Sequence, residues 1–259
     1  MIRVTGVGKR FPGGYEALRD LAFSVEGGRF VALVGPSGCG KSTVLSLIAG
    51  LDAPSAGSIS VREQPVTGVG DGVGFLFQRD ALMPWKTVFD NVAMPLRLRR
   101  RPAAEIARRT DDWIARVGLR GFERHYPHQL SGGMRKRVAL AQTLVYEPEI
   151  ILMDEPFSAL DVQTRDLMED ELLQLWQGSG KTIVFVTHDL EEAIALADEV
   201  IVMTAAPGRV KARYDVTLPR PRVIEEVRAD PRFGELYRAM WNDLRSEVLE
   251  SYARANAVV

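Results

Sequence analysis

Residues 35–43, GPSGCGKST, have the composition and the surroundings of a phosphate-binding loop. The apolar run VALV precedes them and STVLSLIAGL follows, so a strand, a glycine-rich turn and a helix are expected in that order. Glycines let successive backbone N–H groups face one anion, and the helix adds the positive end of its dipole. Lys41 would reach the β- and γ-phosphates, Ser42 would ligate Mg²⁺, and Cys39 should be exposed without nucleotide. The pattern predicts a site for a nucleoside triphosphate.

A second apolar run supplies the carboxylates that hydrolysis of such a nucleotide requires. EIILMDE, residues 149–155, is typical of a buried strand and ends in Asp154 and Glu155. One carboxylate can hold Mg²⁺ through water, and the next can orient and deprotonate the attacking water. We therefore predict that this strand lies beside the phosphate loop.

Two other polar side chains follow apolar runs. Gln78 ends VGFLFQ and His188 ends KTIVFVTH. In open α/β sheets, ligands bind outside the carboxyl ends of the strands, which favours a functional interpretation of both residues. The alternatives are a surface turn for Gln78 and a structural role for His188.

The segment LSGGMRKR, residues 130–137, predicts a second anion site. Ser131, Gly132 and Gly133 open a predicted helix and provide a hydroxyl, two N–H groups and a helix dipole. One nucleotide does not need two such sites on one chain. We therefore expect this site to serve the nucleotide of a second copy.

Composition limits the classes of protein to which this chain can belong. Its 259 residues suffice for a large α/β unit or a core with a subdomain. Lys plus Arg number 33 and Asp plus Glu 34, so the net charge of -1 gives no general reason to expect nucleic-acid binding. The N-terminal residues lack the apolar region of a signal peptide, and no run of about 18 apolar residues indicates a membrane span. The single cysteine fits a reducing cytoplasm.

The order of the patterns predicts three units. An α/β core at residues 1–78 and 146–217 begins with two strands, the second covering residues 22–34. Residues 79–145 change to helical periodicity and form an inserted helical unit, whose basic run RLRRRP is a solvated surface or, alternatively, a nucleic-acid patch. The proline-rich linker LPRPR starts the last unit, residues 218–259, which ends in an amphipathic helix.

Together these motifs resemble the nucleotide-binding subunit of an ATP-binding-cassette (ABC) transporter over nearly the whole chain. Residues 35–43 resemble the Walker A loop, Gln78 the Q-loop glutamine, LSGGM the signature sequence and IILMDE the Walker B strand. SALD, which ends at Asp161, resembles the D-loop, and His188 the switch histidine. The resemblance implies an α/β fold: a P-loop NTPase (RecA-like) core with an N-terminal antiparallel β subdomain and an inserted α-helical subdomain.

The resemblance also implies an ATPase in which two cassettes sandwich two ATP molecules head to tail, with Mg²⁺ at each site. That arrangement accounts for the second anion site. It places Phe11 on the adenine ring, whereas composition alone favours a core residue. The residues implied for catalysis are Glu155, His188 and Lys41; for ATP, Phe11, Gly35, Pro36, Ser37, Gly38, Cys39, Gly40, Lys41, Ser42 and Thr43; for the partner's ATP, Ser131, Gly132 and Gly133; for the D-loop, Asp161; for the metal, Ser42, Gln78 and Asp154.

A narrower resemblance comes from FQRDALMPWKTVFDNV, HYPHQLSGGMRKRVALAQ and MDEPFSALDVQTR. These stretches are similar to the cassettes of nitrate, sulfonate and taurine importers. The resemblance implies two transmembrane permease subunits, an indirect solute-binding protein, no nucleic acid, and a peripheral position on the cytoplasmic face of the cell membrane. The alternatives are another importer subgroup, such as one for pyrimidine precursors, or an exporter. A cassette acting on DNA or ribosomes and a small-molecule kinase fit the motifs less well.

Overall fold

Two β-sheets and eight α-helices make up residues 1–256, the part of the chain that this computed structural model describes. In chain order the elements are β1 (Ile2–Arg10), β2 (Glu16–Val25), β3 (Phe30–Val34), α1 (Lys41–Ile48), β4 (Ala56–Val61), β5 (Gln64–Pro65), β6 (Val73–Leu76), α2 (Val88–Leu98), α3 (Ala103–Arg116), α4 (Gly132–Leu144), β7 (Ile150–Asp154), α5 (Val162–Trp176), β8 (Thr182–Thr187), α6 (Leu190–Leu196), β9 (Glu199–Met203), β10 (Val210–Asp215), α7 (Ile224–Ala229) and α8 (Pro231–Asn256).

The larger sheet has the strand order β10-β9-β3-β8-β7-β6. Five of its strands, β9, β3, β8, β7 and β6, are parallel to one another. The edge strand β10 pairs antiparallel with β9. Helices and the second sheet cover both faces, which is why β3, β8 and β9 are continuous apolar runs rather than alternating ones. The carboxyl ends of the parallel strands therefore meet at one edge.

Alternate residues of β3 point into two different hydrophobic cores. Phe30, Ala32 and Val34 belong to the core under α5, α6 and the C-terminal helices. Val31 and Leu33 point the other way, into a core shared with α1 and the four-stranded antiparallel sheet β2-β1-β4-β5. The helix that begins at the phosphate loop is thus fixed between the two sheets.

The helices α2, α3 and α4 lie between β6 and β7 in the chain and pack on each other. The Thr87 hydroxyl caps α2 by accepting the Asp90 N–H at 3.1 Å, and Ser131 caps α4 in the same way. Trp113 of α3 is buried in the same core. This packing sets the direction in which the start of α4 faces.

The prediction of one strand over residues 22–34 is wrong. Two strands occupy the region, and they belong to different sheets: β2 begins earlier, at Glu16, and β3 begins at Phe30. The Gly27–Gly28 pair makes a turn between them, and Gly28 has a φ of 76°, which interrupts a strand. The apolar pattern continues across this turn because both strands are buried.

The C-terminal region packs on its own chain. In the LPRPR stretch Arg222 is only 4% exposed and donates to the carbonyl oxygens of Ala197 at 2.7 Å and Leu218 at 3.1 Å, so this side chain anchors the segment to the core while Pro219 and Pro221 stay exposed. Burial, with the nearby Arg220 charge, lowers the pKa of Arg222 to about 10. The tail helix α8 buries Met240 and its apolar neighbours against α6, β9 and β10. Among the described residues, no helix is long and apolar enough to cross a membrane.

Candidate nucleotide site

The phosphate loop joins β3 to α1, as predicted. Gly40 immediately precedes the helix with a φ of 99°, a left-handed conformation that a side chain would strain. A Cβ at this position would also lie 2.6 Å from Leu18 Cδ2. A glycine is therefore required for the chain to turn into the helix here.

Lys41 fills the centre of the loop. The residue is 5% exposed, and its ammonium group donates to the carbonyl oxygens of Gly35 at 2.8 Å and Pro36 at 3.1 Å. Ser37, Gly38 and Ser42 are exposed around it. The loop thus holds one buried positive charge beneath a polar surface, the arrangement that phosphate oxygens require.

A cavity of 380 Å³ lies above the loop. Its lining combines the loop with residues from two other segments that the sequence predicted, Gln78 and Glu155. The remaining lining residues are Tyr15, Ala17, Ser37, Gly38, Gly40, Lys41, Ser42 and Thr43. Residues far apart in the sequence therefore face one space, which is open to solvent.

Polar groups from the start of α1 and from the ends of β6, β7 and β8 meet beside this cavity. The Ser42 hydroxyl donates to Asp154 Oδ1 at 2.9 Å. Glu155 Oε2 accepts from Gln78 Nε2 at 3.2 Å and lies 3.1 Å from His188 Nδ1. Burial raises the pKa of Asp154; the Ser42 hydrogen bond opposes that shift, and the charge of Glu155 adds to it. The structure brings all five side chains together.

Glu155 has an unusual backbone conformation. Its φ is 42°, in the left-handed region that non-glycine residues enter at a cost of about 1 kcal/mol or more. Its N–H donates to Val186 O at 2.9 Å, which holds the residue against the neighbouring strand β8. The strained turn directs the Glu155 carboxylate toward Gln78 and His188 rather than along the strand.

The prediction that Cys39 is exposed without nucleotide is wrong. Cys39 is 1% exposed, because the segment after β9 lies against the phosphate loop. A Cβ added at Gly208 would lie only 2.1 Å from Cys39 O, and the Gly208 N–H donates to Ala17 O at 2.8 Å. Burial raises the pKa of the Cys39 thiol, and the Lys41 ammonium opposes that shift.

Tyr15 lines one side of the cavity, and Phe11 lies next to Tyr15. Phe11 follows β1 and is half-buried, and its ring lies parallel to that of Tyr15 with centroids 6.4 Å apart. The Tyr15 hydroxyl donates to Gly38 O at 3.0 Å, and Lys9 Nζ lies 5.1 Å from the centre of the Phe11 ring. Tyr15 was not among the residues predicted from the sequence. Its position after the Pro-Gly-Gly turn, close to Phe11, was the available signal.

The remaining predicted residues lie outside this cavity. Ser131 is exposed and uses its hydroxyl only to cap α4, accepting the Met134 N–H at 3.3 Å. Gly132 and Gly133 form the first turn of that helix. Asp161 is exposed and caps α5 by accepting the Thr164 N–H at 3.0 Å. Within the described part of the chain, the start of α4 is therefore a separate helix terminus facing solvent.

Comparison with known proteins identifies the family. The ABC transporter family profile matches residues 18–158. The chain is 43% identical to the taurine import ATP-binding protein TauB of Burkholderia thailandensis, over 92% of this chain and 93% of that protein. It is 45% identical to the aliphatic sulfonates import ATP-binding protein SsuB of Bacillus licheniformis, over 79% of each.

A solved structure agrees with this assignment. The dimeric post-hydrolysis state of the ATP-binding cassette MJ0796, bound to ADP and Pi, superposes with a TM-score of 0.75 at 32% identity. The match covers 85% of this chain and 100% of that one. The α/β fold with an antiparallel sheet beside a mainly parallel one is the fold of such cassettes. The chain therefore belongs to the ABC transporter family, as one of its ATP-hydrolysing cassettes.

Proposed function

We propose that this chain is the ATP-hydrolysing subunit of an importer for a small anion, a sulfonate such as taurine or a similar solute such as nitrate. The observation that carries the hydrolytic part is the contact of Glu155 with both Gln78 and His188, beside the loop that holds Lys41. The solute class is supported by the two relatives, which are named as import ATP-binding proteins for taurine and for aliphatic sulfonates.

In this proposal the loop binds the phosphates. The N–H groups of residues 37–43 and the Lys41 ammonium face the β- and γ-phosphates, and Lys41 exchanges its bonds to Gly35 and Pro36 for bonds to phosphate oxygen. Phe11, supported by Tyr15, stacks on the adenine ring. Glu155 accepts the proton of the attacking water, and His188 supports the γ-phosphate side.

The donor set beside the loop fits Mg²⁺. The Ser42 hydroxyl, the Asp154 carboxylate and the Gln78 amide are hard oxygen ligands, which Mg²⁺ prefers, and Ser42 and Asp154 already lie 2.9 Å apart. Phosphate oxygens and water would complete the coordination. Bound there, Mg²⁺ would neutralise the charge of the β- and γ-phosphates.

The exposed start of α4 supports a two-copy arrangement. Ser131 and the N–H groups of Gly132 and Gly133 are free to meet an anion from another molecule, and they line no part of the cavity on their own chain. The related cassette bound to ADP and Pi is dimeric. We infer that each phosphate loop faces the partner's Ser131, so that ATP binding closes the dimer, with Asp161 near the contact.

The transport role adds partners and a location. Two permease subunits would receive the motion, and a separate binding protein would deliver the solute, which places this chain at the cytoplasmic face of the membrane. The three predicted units are part of the proposal: the core at residues 1–78 and 146–217, the helical unit at 79–145 and the C-terminal unit from 218. The position of α2, α3 and α4 between β6 and β7 supports this division.

The hydrolytic assignment is tested with Glu155→Gln. Turnover should fall by about a hundredfold or more because the water loses its base, while the MgATP dissociation constant stays within about twofold. The variant should form a stable dimer with ATP in light scattering. The matched control is Glu149→Gln, a carboxylate at the opposite end of β7 that pairs with Arg62 at 3.1 Å, and it should turn over ATP normally. Parental turnover in Glu155→Gln would reject the assignment.

The solute class is tested separately by deleting the coding gene. The deletion strain should lose growth on taurine or an alkanesulfonate as sole sulfur source and keep growth on sulfate. Normal growth on every sulfonate and on nitrate would reject this solute class and leave the ATPase assignment intact.

A further inference from the structure

A lysine in the helix that follows Ser131 is buried next to the segment that carries Gln78. Lys136 of α4 is 5% exposed, and its ammonium group donates to Gln78 O at 2.6 Å. The same nitrogen lies 2.9 Å from Asp80 Oδ1. A buried charge is costly unless it is paired, so these two contacts determine where the segment can lie.

Asp80 is shared with a second residue of the same helix. Its other carboxylate oxygen accepts from Arg135 Nε at 3.2 Å. Arg135 in turn donates through Nη1 to Leu130 O at 2.8 Å, the carbonyl immediately before Ser131. Asp80, Arg135 and Lys136, here termed the α4 latch, therefore connect the segment after β6 with the first two turns of α4 and with Leu130, which precedes Ser131.

The strand gives Gln78 no support of its own. Pairing of β6 with β7 ends at Leu76 opposite Met153, and Phe77, Gln78 and Arg79 are exposed. The Gln78 side chain nevertheless reaches Glu155 Oε2 at 3.2 Å. Within the described residues, the main chain of Gln78 is held by the hydrogen bond that Lys136 donates to its carbonyl oxygen. The latch therefore fixes the backbone from which the Gln78 side chain extends, and so orients that side chain.

We propose that Lys136 is a positioning residue for ATP hydrolysis. Through the latch, the start of α4 sets the orientation of Gln78 toward Glu155. In the proposed dimer, Ser131 of one chain contacts the nucleotide bound to the partner's phosphate loop. The rate of hydrolysis on the first chain would then depend on the position of its own Ser131. This inference rests on the proposed function, because it assumes that Glu155 acts on water and that Ser131 meets a second ATP.

The inference is tested by measuring ATP binding and ATP turnover separately in variants of Lys136. Lys136→Met keeps most of the side-chain volume but removes the charge and the bond to Gln78 O, and we expect kcat to fall by about tenfold or more. The MgATP dissociation constant should stay within about twofold, because the phosphate loop is untouched. Lys136→Arg keeps a donor and a charge and should restore kcat to within about threefold of the parent.

A matched control separates positioning from loss of stability. Lys181 Nζ also donates to one backbone carbonyl, Pro148 O at 2.9 Å, at the opposite end of the sheet. Lys181→Met should lower the unfolding temperature as Lys136→Met does, with kcat unchanged. Asp80→Asn should lower kcat, and combining it with Lys136→Met should cost no more than either change alone.

Three results would overturn the inference: normal kcat in Lys136→Met, a parallel loss of ATP affinity, or no rescue by Lys136→Arg. If the unmodified chain hydrolyses no ATP, the proposed function fails instead. In that case the effect of the latch on the segment after β6 is still measurable, by amide hydrogen exchange of residues 79–86 in the nucleotide-free chain. Exchange there must be faster in Lys136→Met than in Lys181→Met, and equal rates would reject the latch.

Discussion

The two glycine-containing helix starts of this chain differ in how completely the chain builds them. At the start of α1, Cys39 is buried, Lys41 is bonded to two loop carbonyls, and Gly208 touches the loop from outside. At the start of α4, Ser131 is exposed and bonds only its own helix. The phosphate loop is thus held by contacts with other parts of its own chain. The start of α4 is an exposed surface that needs a second molecule to complete a binding site. Changes at the two sites should therefore affect different steps.

The largest effect is expected from Gly208→Ala. The added Cβ would lie 2.1 Å from Cys39 O, so the phosphate loop must shift. Overpacking of this kind costs about 2 kcal/mol, which corresponds to about a thirtyfold loss of MgATP affinity if the shift occurs at the loop. Titration with a fluorescent ATP analogue measures it.

The control for this change is Gly234→Ala in α8, where an added Cβ meets nothing within 4 Å. It should leave ATP affinity unchanged, since alanine is also the better helix former. If Gly208→Ala binds ATP as the parent does, the loop is not held from outside, and the contrast between the two helix starts disappears.

An intermediate effect is expected from Ser131→Ala. The lost hydroxyl removes one charge-assisted bond to the partner's phosphate, so the ATP concentration that drives dimerisation of Glu155→Gln should rise about tenfold. Binding of ATP to the single chain should not change, because Ser131 lines no part of its cavity. Sedimentation velocity with increasing ATP measures the first quantity and nucleotide titration the second.

Thr87→Ala is the matched control. Both hydroxyls cap a helix by accepting an N–H three residues on, so each substitution should cost about 1 kcal/mol of stability. Only Ser131→Ala should weaken the dimer. Equal weakening by both variants would mean that Ser131 acts through helix stability alone, and the start of α4 would lose its role as an anion site.

Sequence patterns predicted the elements that position the site well. EIILMD and KTIVFVT are buried parallel strands, and Gln78, Asp154, Glu155 and His188 follow strand ends because such ends share one edge. The start of α4 at Gly132 was predicted equally well from local chemistry. These features depend on residues that are close in sequence, which is why pattern alone was sufficient.

Features that depend on distant contacts were missed. Cys39 is buried in a core cluster where Gly208, a residue that follows β9, approaches its carbonyl oxygen, and no local signal around the loop shows that approach. Arg222 is buried in a proline-rich stretch because the carbonyl oxygens of α6 and its neighbours accept its guanidinium. Lys136 was not among the predicted site residues, and only the fold places it against Gln78 O.

The smallest perturbation of the molecule, and the sharpest test of a pre-built phosphate loop, is labelling of Cys39 in the unsubstituted chain. Its thiol is 1% exposed, and burial raises its pKa, so less thiolate is present at pH 8 than for a free cysteine. Maleimide labelling without ATP should therefore be at least about a hundredfold slower than in urea, because it requires opening of the loop.

The comparison variant combines Ser37→Cys with Cys39→Ala, which moves the thiol to an exposed position of the same loop. It should label rapidly without ATP and slowly with it, whereas the parent should label slowly in both conditions. ATP can slow the parent further only by stabilising the folded chain. If Cys39 labels as fast as the displaced thiol, the loop opens freely without nucleotide. The start of α1 would then be as incomplete on its own as the start of α4, and nucleotide, rather than Gly208 and the core, would be what shapes it.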